Sequence, residues 1–506
     1  MTGSVPVSDF TLDDLPDGRI FVAGTFRQGQ GAEIESRFPA DGSLNRVMRE
    51  AGEQDVDDAI AAARLAVEDA HWRDLLPHQR ADYLYRIARG LADNVERIAF
   101  IQSRDTGKTL KETRALAMSA ASTFRYFAAA LETMEEAITP ARGPWMTLSR
   151  FEPIGVVAAI TPWNSPIASD AQKVAPALAA GNAVILKPAT WSPLVGLEFA
   201  RIVAEAGLPP GLLSVLPGGG HTVGDRLVSD PAIGRISFTG GTKVGHAIAE
   251  KAARRLVPVS LELGGKSPTI VLPDADLDQA LAGILYGMFS SSGQSCVAGS
   301  RLFIHSSIYD SFLERLVAAT RALKVGHPFD PATQVAPLIH PTHVANVARW
   351  VDIARAEGGR VLVGGAAPDG AEYAQGNYYL PTIIDGVGNS ATICREEVFG
   401  PVLVALPFET DADVIAMAND NQYGLACGVW TRDIVRALAI GRAVTTGTVW
   451  INTYKQFSIS TPFGADKESG MGREKGLEGL RAYMRQKSYY IDTAHQVIPW
   501  AGITAG

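Results

Sequence analysis

The chain is poor in cysteine. Its three, Cys296, Cys394 and Cys427 in 506 residues, cannot build a disulfide framework and fit a reducing compartment, the cytosol. A basic excess is missing: 46 lysines and arginines stand against 54 aspartates and glutamates, a formal net charge of -8. Such a chain has little with which to neutralise a phosphate backbone, so no nucleic-acid partner is expected. Long apolar runs are absent too. Stretches such as IGVVAAI (154–160) are far too short to span a bilayer, and no membrane association is expected. MTGSVPVSDFTLDDLPDG at the N-terminus has neither the basic flank nor the apolar core of a signal peptide. Nine histidines occur, none beside Cys296 and none clustered at ligand spacing, so no metal is expected.

What is present describes a globular chain of two or three domains. Hydrophobic residues make up 46% and charged residues 20%, ordinary values for a protein with a sizeable core. Helix and strand patterns alternate, which argues for an α/β architecture. An early helix is predicted from an Asp55 N-cap, with Val56, Ile60, Ala63 and Val67 as its apolar stripe. A second is predicted from about His78 to Ser103. From 154 onward the pattern becomes strand (154–160), helix (169–180), strand (183–187), helix (192–206), strand (235–238), helix (243–256), a succession of the kind that binds dinucleotides. The segment 257–263 alternates, with Val257, Val259, Leu261 and Leu263 on one face and Ser260 and Glu262 on the other. Gly264 and Gly265 break it. Helices near 276–291, 309–323 and 341–357 follow, then a further βα block including 411–419, 428–431, 433–442 and 449–452.

Four motifs can carry chemistry. FTGGTKVG (238–245) ends a strand and opens a helix; its glycines Gly240, Gly241 and Gly245 leave backbone N–H groups open to a phosphate, although a tight turn without a ligand reads the same way. SSSGQSCVAGSR (290–301) sets Cys296 among small residues, where a thiol lowered by local N–H groups would be a nucleophile and an unperturbed one would be inert packing. Glu262, at a strand end, suits a general base or is an exposed strand glutamate. Asn164, in TPWN (161–164), suits an oxyanion donor or is a turn residue.

In order, PWN, FTGGTKVG, LELGGK and GQSC, extended by REEVFGPV (395–402) and PFGADKESGMGRE (462–474), resemble the NAD(P)-dependent aldehyde dehydrogenase superfamily, from about residue 20 to 492. The resemblance implies two Rossmann-like three-layer domains plus a small β oligomerisation arm. The cofactor-binding domain would span 1–134 and 154–264, the catalytic domain 265–470, and the arm 135–153 and 484–494. A homodimer or homotetramer is implied. VIPWAGITAG, with its lead-in, reads as a C-terminal extension.

For chemistry the resemblance implies attack by Cys296 on an aldehyde, an oxyanion held by Asn164, hydride transfer to NAD or NADP, and thioester hydrolysis by water that Glu262 activates. Lys173 and Glu474 are placed near this centre. Trp163, Lys187, Thr190, Phe238, Gly240, Gly241, Gly245, Glu397 and Phe399 are implied at the cofactor. Ser165, Gln172, Lys455, Phe457 and Phe463 match substrate-tunnel positions; the polarity of Ser165 and Gln172, with Lys455 near the mouth as either a carboxylate anchor or a solvated surface lysine, suits a semialdehyde or polar aldehyde. Many NAD-preferring members carry a glutamate where this chain has Thr190, so NADP is expected to be accepted. Two alternatives remain at this point: a CoA-acylating dehydrogenase, disfavoured by the presence of Glu262, and a cysteine-dependent hydrolase.

Overall fold

A computed structural model describes residues 7–495 and residue 500. The C-terminal extension lies outside the described residues apart from Trp500. Two large sheets and a small antiparallel one organise the chain. In the first large sheet, five parallel strands lie in the order Leu213–Val215, Ala183–Lys187, Val156–Ile160, Ile233–Thr239, Val259–Glu262. Every residue of Val156–Ile160 and Ala183–Lys187 is buried, as expected of parallel strands covered on both faces. The chain runs outward from Val156–Ile160 first to one side and then to the other. That strand therefore flanks a topological switch point, and the crevice beyond its carboxyl end is where such sheets bind ligands.

The second large sheet orders its parallel strands Thr382–Asp385, Val402–Phe408, Arg301–His305, Pro268–Val271, Ala426–Trp430, Thr448–Ile451, with Arg360–Val363 antiparallel at one edge. Alternate residues of these strands enter two separate cores. Ile270, Phe303 and Val404 join one; Val271, Leu302, Leu403 and Ala405 join the other. One apolar core on each face makes this a three-layer α/β unit. The chain crosses between the sheets at Gly264–Gly265, so the carboxyl ends of the first sheet's strands meet the amino ends of the second's. The third sheet pairs Met484–Asp492 with Trp145–Pro153 and the latter with Ala137–Thr139. Among the described residues no helix is long and apolar enough to cross a membrane.

Several local expectations are corrected. Asp55 is not the N-cap of the first helix, Glu53–Glu68; Gly52 is, and the buried Asp55 carboxylate accepts the N–H groups of Gly52 (2.8 Å) and Gln30 (2.9 Å) from the third helical position. The segment 78–103 is two helices, Pro77–Asp93 and Val95–Thr106. They part at Asn94, whose amide donates to the Gly90 carbonyl (2.8 Å) and closes the first helix. The strand in 257–263 is Val259–Glu262, and both of its faces are covered: Ser260, Leu261 and Glu262 are all buried.

The strand predicted from 154 begins at Val156 because the amides of Ile154 and Gly155 are taken by the Asn182 side-chain oxygen, at 2.7 and 2.8 Å. The same side chain donates to the carbonyls of Ala177 (3.0 Å) and Tyr483 (2.9 Å) and is fully buried. One amide thus ties the switch-point strand to the helix Pro166–Ala179 and to the chain entering the third sheet. Asn182→Ala leaves the two part-buried N–H groups of Ile154 and Gly155 without an acceptor. It is expected to lower stability by about 2–5 kcal/mol, read as a fall in the urea midpoint, because an orphaned buried donor costs about 1–3 kcal/mol. Asn182→Asp keeps the acceptor and should lose less; an unchanged midpoint in the alanine variant would refute this role.

Candidate active site

Cys296 stands just before the amino end of Arg301–His305, on a loop that other segments hold in place. Ser291 and Ser292 are left-handed (φ 57 and 54). The Ser292 hydroxyl donates to the Ala336 carbonyl (2.6 Å), Gln294 Oε1 accepts the Ile339 N–H (2.9 Å), and Ser291 N–H donates to Glu112 (2.6 Å). Gly293 is also left-handed, and a Cβ there would overlap the Gly400 carbonyl. From the first sheet, Asn164 follows the strand Val156–Ile160 and donates one amide N–H to the Gln294 carbonyl (2.9 Å), which brings the amide to the cysteine loop and leaves its second N–H for another acceptor.

Glu262 pairs with Thr239 across the sheet and is only 5% exposed; neither carboxylate oxygen has a protein partner. Burial, then the nearby Glu474 charge, push its carboxyl well above the usual range. Behind it, Lys173 and Glu474 form a buried ion pair at 2.5 Å, joined by the Ser237 hydroxyl and by the Gln172 amide, which donates to Glu474. Glu397 precedes the strand Val402–Phe408. Its carboxylate accepts the Gly265 N–H at 2.9 Å, and burial pushes it up to about 7.

The sequence left a lowered thiol and an inert one both open; the fold raises the Cys296 thiol. Burial, followed by the carboxylates of Glu397 and Glu262, pushes Cys296 up to about 12; only Lys455 and the Val297 N–H act in the other direction. In the ligand-free protein the sulfur is a neutral thiol at the floor of a cavity.

That cavity, about 470 Å³, brings Cys296, Glu262, Asn164, Glu397, Phe399, Trp163, Phe238, Gly240, Gly241, Lys187 and Thr190 together. Its form fits a dinucleotide. At the switch point a Cβ on Gly241 would meet nothing within 4 Å, so the turn opening the helix Thr242–Ala253 presents bare backbone. At the other end a Cβ on Gly264 would overlap the Glu397 carboxylate, so glycine alone admits that acid beside the cysteine. Trp163 meets the edge of the left-handed Phe399 (5.1 Å), whose carbonyl bonds His343 Nε2 (2.8 Å). Near the far end, burial pushes Lys187 down to about 8, and Thr190 donates to the Gly218 carbonyl (3.2 Å).

Other predicted residues lie elsewhere. Gly245 is not in the cavity wall; it faces Leu263, where a Cβ would collide, and serves helix–strand packing. Lys173 and Glu474 are one layer behind Glu262. Ser165 is bonded to Ser169 (3.0 Å) and Gln172 to Glu474. Phe457 and Phe463 line a second cavity of about 470 Å³ together with Lys475. Lys455 is half-buried and donates to Ser290 Oγ (2.9 Å), so it is not a freely solvated lysine. Sequence reading missed Lys475, His343 and Asp225. Asp225 lines the cofactor-sized cavity and pairs with Lys251 at 2.7 Å; none of the three stands in a motif.

A thiol titrating far above neutrality holds a thiolate fraction that grows tenfold per pH unit. Alkylation of Cys296 by iodoacetamide in the ligand-free protein should therefore rise about tenfold per unit between pH 7 and 9 with no plateau. The buried Cys394 and Cys427 should react far more slowly, and Cys296→Ala supplies the blank. A plateau below pH 8 would contradict the neutral thiol.

Comparison with known proteins places this geometry. The profile of the aldehyde dehydrogenase family matches residues 26–489. DhaS of Bacillus subtilis (strain 168) is 36% identical over 476 residues, 94% of this chain and 95% of the relative. The crystal structure of PnpE from Pseudomonas sp. WBC-3 superposes with a TM-score of 0.94 at 36% identity, covering 96% of this chain and 100% of that one. Betaine aldehyde dehydrogenase from Staphylococcus aureus, solved in complex with NAD+, gives 0.94 at 34% identity over 97% of both chains. With its two α/β units meeting end to end at a cysteine, an amide and a carboxylate, the chain belongs to the aldehyde dehydrogenase family.

Proposed function

We propose that the protein oxidises an aldehyde to a carboxylic acid, with NAD or NADP as hydride acceptor, through a thioester on Cys296. The observation that carries this reading is the single cavity lined by Cys296, Asn164 and Glu262 together with Lys187 and the Gly240–Gly241 turn, open at Gly241.

The chemistry follows from what each group can do. Cys296 Sγ bonds the carbonyl carbon as its proton passes through water to the Glu262 carboxylate and the C=O π pair moves onto oxygen. The oxygen gains negative charge and is held by the free Asn164 N–H and the Cys296 backbone N–H, donors worth on the order of a hundredfold or more in rate. When bound, oxidised nicotinamide supplies the acceptor for the hydride that leaves this carbon and a positive charge beside the sulfur. Glu397 and Phe399 would hold its ribose and ring, Lys187 and Thr190 the adenosine ribose, and Gly240–Gly241 the phosphates. Glu262 then takes a proton from water, which attacks the thioester carbonyl; the C–S bond breaks and the thiol is restored. A carboxyl raised by burial is a better base for this step than an ordinary glutamate. Glu474, held by Lys173, passes the proton outward.

Thr190 places no acid at the adenosine ribose, and Asp225 nearby is neutralised by Lys251. A 2′-phosphate would meet Lys187, whose charge Glu50 also faces. Homo-oligomerisation as a dimer or tetramer is supported by the third sheet, which exposes Ile138, Trp145, Tyr490 and Ile491.

Absorbance at 340 nm on adding aldehyde and cofactor tests the activity. Cys296→Ala is expected to abolish it. Glu262→Gln should slow turnover by about a hundredfold or more, with an initial burst of reduced cofactor and an acyl adduct on Cys296 visible by mass spectrometry. Steady turnover in either variant would overturn the assignments. The ratio of kcat/KM for NAD over NADP is expected to stay below about a hundred, the span that one strongly discriminating charged contact supplies.

A further inference from the structure

The turn that leads to the cysteine is left-handed over consecutive residues: Ser291 (φ 57, ψ 24), Ser292 (φ 54, ψ 35) and Gly293 (φ 71). Glycine enters this region freely, but a serine does not, because its Cβ crowds the following carbonyl. Gly293 is fixed by space as well, since a Cβ there would overlap the Gly400 carbonyl. Each of the two serines weights the chain against this turn by about tenfold, so bonds from elsewhere must hold it.

Those bonds come from both large α/β units. Within the second, the Ser292 hydroxyl donates to the Ala336 carbonyl (2.6 Å) and accepts the Ala336 N–H (3.1 Å). From the first comes Glu112, at the third position of the helix Leu110–Thr133, whose Ala117 and Phe124 sit in that unit's core. Its carboxylate is divided. Oε2 accepts the Thr109 N–H (3.2 Å) and hydroxyl (2.9 Å) in the helix's own capping box, and Oε1 accepts the Ser291 N–H at 2.6 Å. The turn then closes on Gln294, whose backbone N–H and side-chain amide both donate to the Ser291 carbonyl (3.0 and 3.3 Å). Gln294 is buried; its Oε1 accepts the Ile339 N–H (2.9 Å) and its carbonyl accepts the Asn164 amide (2.9 Å). The hand of the turn therefore decides where the Gln294 carbonyl points, and with it the placing of Asn164 and of Cys296 just beyond.

We propose that Glu112 is a positioning residue for the nucleophile: by taking the Ser291 N–H it holds the strained turn in its left-handed form and keeps Cys296 in register with the Asn164 donor. It acts from a helix none of whose residues line the cofactor-sized cavity. This rests on the dehydrogenase reading above and adds a residue to its machinery. A right-handed turn would direct the Gln294 carbonyl away, and Asn164 would lose its anchor. The rival role for Glu112 is its charge, which acts on Lys455 beside Ser290. The two roles are separable, because glutamine keeps an acceptor oxygen and loses the charge.

The test is a double-mutant cycle of Glu112→Ala and Ser291→Gly, with Glu112→Gln alongside. Two assays are read: reduction of the cofactor by aldehyde, and hydrolysis of p-nitrophenyl acetate, which needs the thiol and the oxyanion donors but no hydride transfer. Glu112→Ala is expected to lower kcat in both by about tenfold or more, the effect of one lost bond to a charged acceptor, and to leave KM for the cofactor within about twofold. Ser291→Gly alone should stay within about threefold of the wild type, and the double variant should return to that level, because glycine needs no bond to stay left-handed. Glu112→Gln should keep most of the rate. An unchanged kcat in Glu112→Ala overturns the proposal, as does a Ser291→Gly variant that is itself slow. A double variant no faster than Glu112→Ala overturns it too, since Glu112 would then serve only its helix. So does a glutamine variant as slow as the alanine one, since the charge would then be what counts. If Glu112→Ala does not fold, Glu112→Asp, which keeps the charge but not the reach, takes its place with the same outcomes. Ester hydrolysis that follows the expected pattern, with no reduced cofactor formed by the wild type, would refute the dehydrogenase reading and leave the positioning role standing.

Discussion

Two glycines bring the reacting groups together. Gly264 and Gly265 form the crossing between the two large sheets, and neither has room for a side chain. A Cβ on Gly264 would overlap the Glu397 carboxylate, and one on Gly265 would overlap the Cys296 carbonyl. The crossing therefore sets Glu262, the last residue of one sheet, against two loops that lead into the other, while its own Gly265 N–H holds Glu397 in place. Carboxyl ends of parallel strands supply Asn164, Gly240 and Glu262; amino ends supply Cys296, Glu397 and Phe399. A bulkier link would separate these sets, and no rearrangement of side chains would restore them.

This crowding governs the electrostatics. Two carboxylates and a thiol share a dry space, and Lys173, the buried cation behind Glu262, is already paired with Glu474. The result is mutual suppression of charge: Glu262, Glu397 and Cys296 all titrate above their ordinary ranges. The ligand-free site is held largely neutral, which limits unwanted reaction of the sulfur. A cationic ring arriving in the cavity would reverse this balance, favouring thiolate and carboxylates together. Ordered reactivity then follows from burial alone, without a dedicated base hydrogen-bonded to the thiol.

Much of the layout was legible along the chain. The strands 183–187 and 154–160 are continuous apolar runs because both faces are covered, and the helix 411–419 carries its own cap in Thr410. Features set by distant partners were not. Asp55 looked like a cap because nothing local reveals that Gln30 also donates to it. The alternation in 257–263 suggested a solvated polar face, whereas the strand Gly470–Met471, some two hundred residues on, pairs beside it and helps bury Glu262. Gly245 sat within a phosphate-like turn yet answers to Leu263. Lys475 lies in no recognisable pattern; its position follows from an antiparallel bridge between Phe463 and Glu474. The motif order still singled out Cys296, Glu262 and Asn164, which line one cavity, because those residues sit at strand ends and turns, where sequence punctuation is strongest.

The division of labour around the cysteine follows from which polar groups are already committed. Ser165 and Gln172 were expected to set substrate polarity, but the first is bonded to Ser169 and the second to Glu474. A substrate atom would have to displace those bonds to use them, at the cost of a buried partner left unpaired. Asn164 has one donor committed to the Gln294 carbonyl and one left over. Phe457, Phe463 and Lys475 line a second cavity, and Lys475 has no salt bridge among the described residues. Those groups stand on loops outside both large sheets, so their identity can change without moving the cysteine, the amide or the carboxylate. Cys296, Asn164 and Glu262 sit beside strand ends, which are rigid, and Phe457 and Phe463 on loops, which are replaceable.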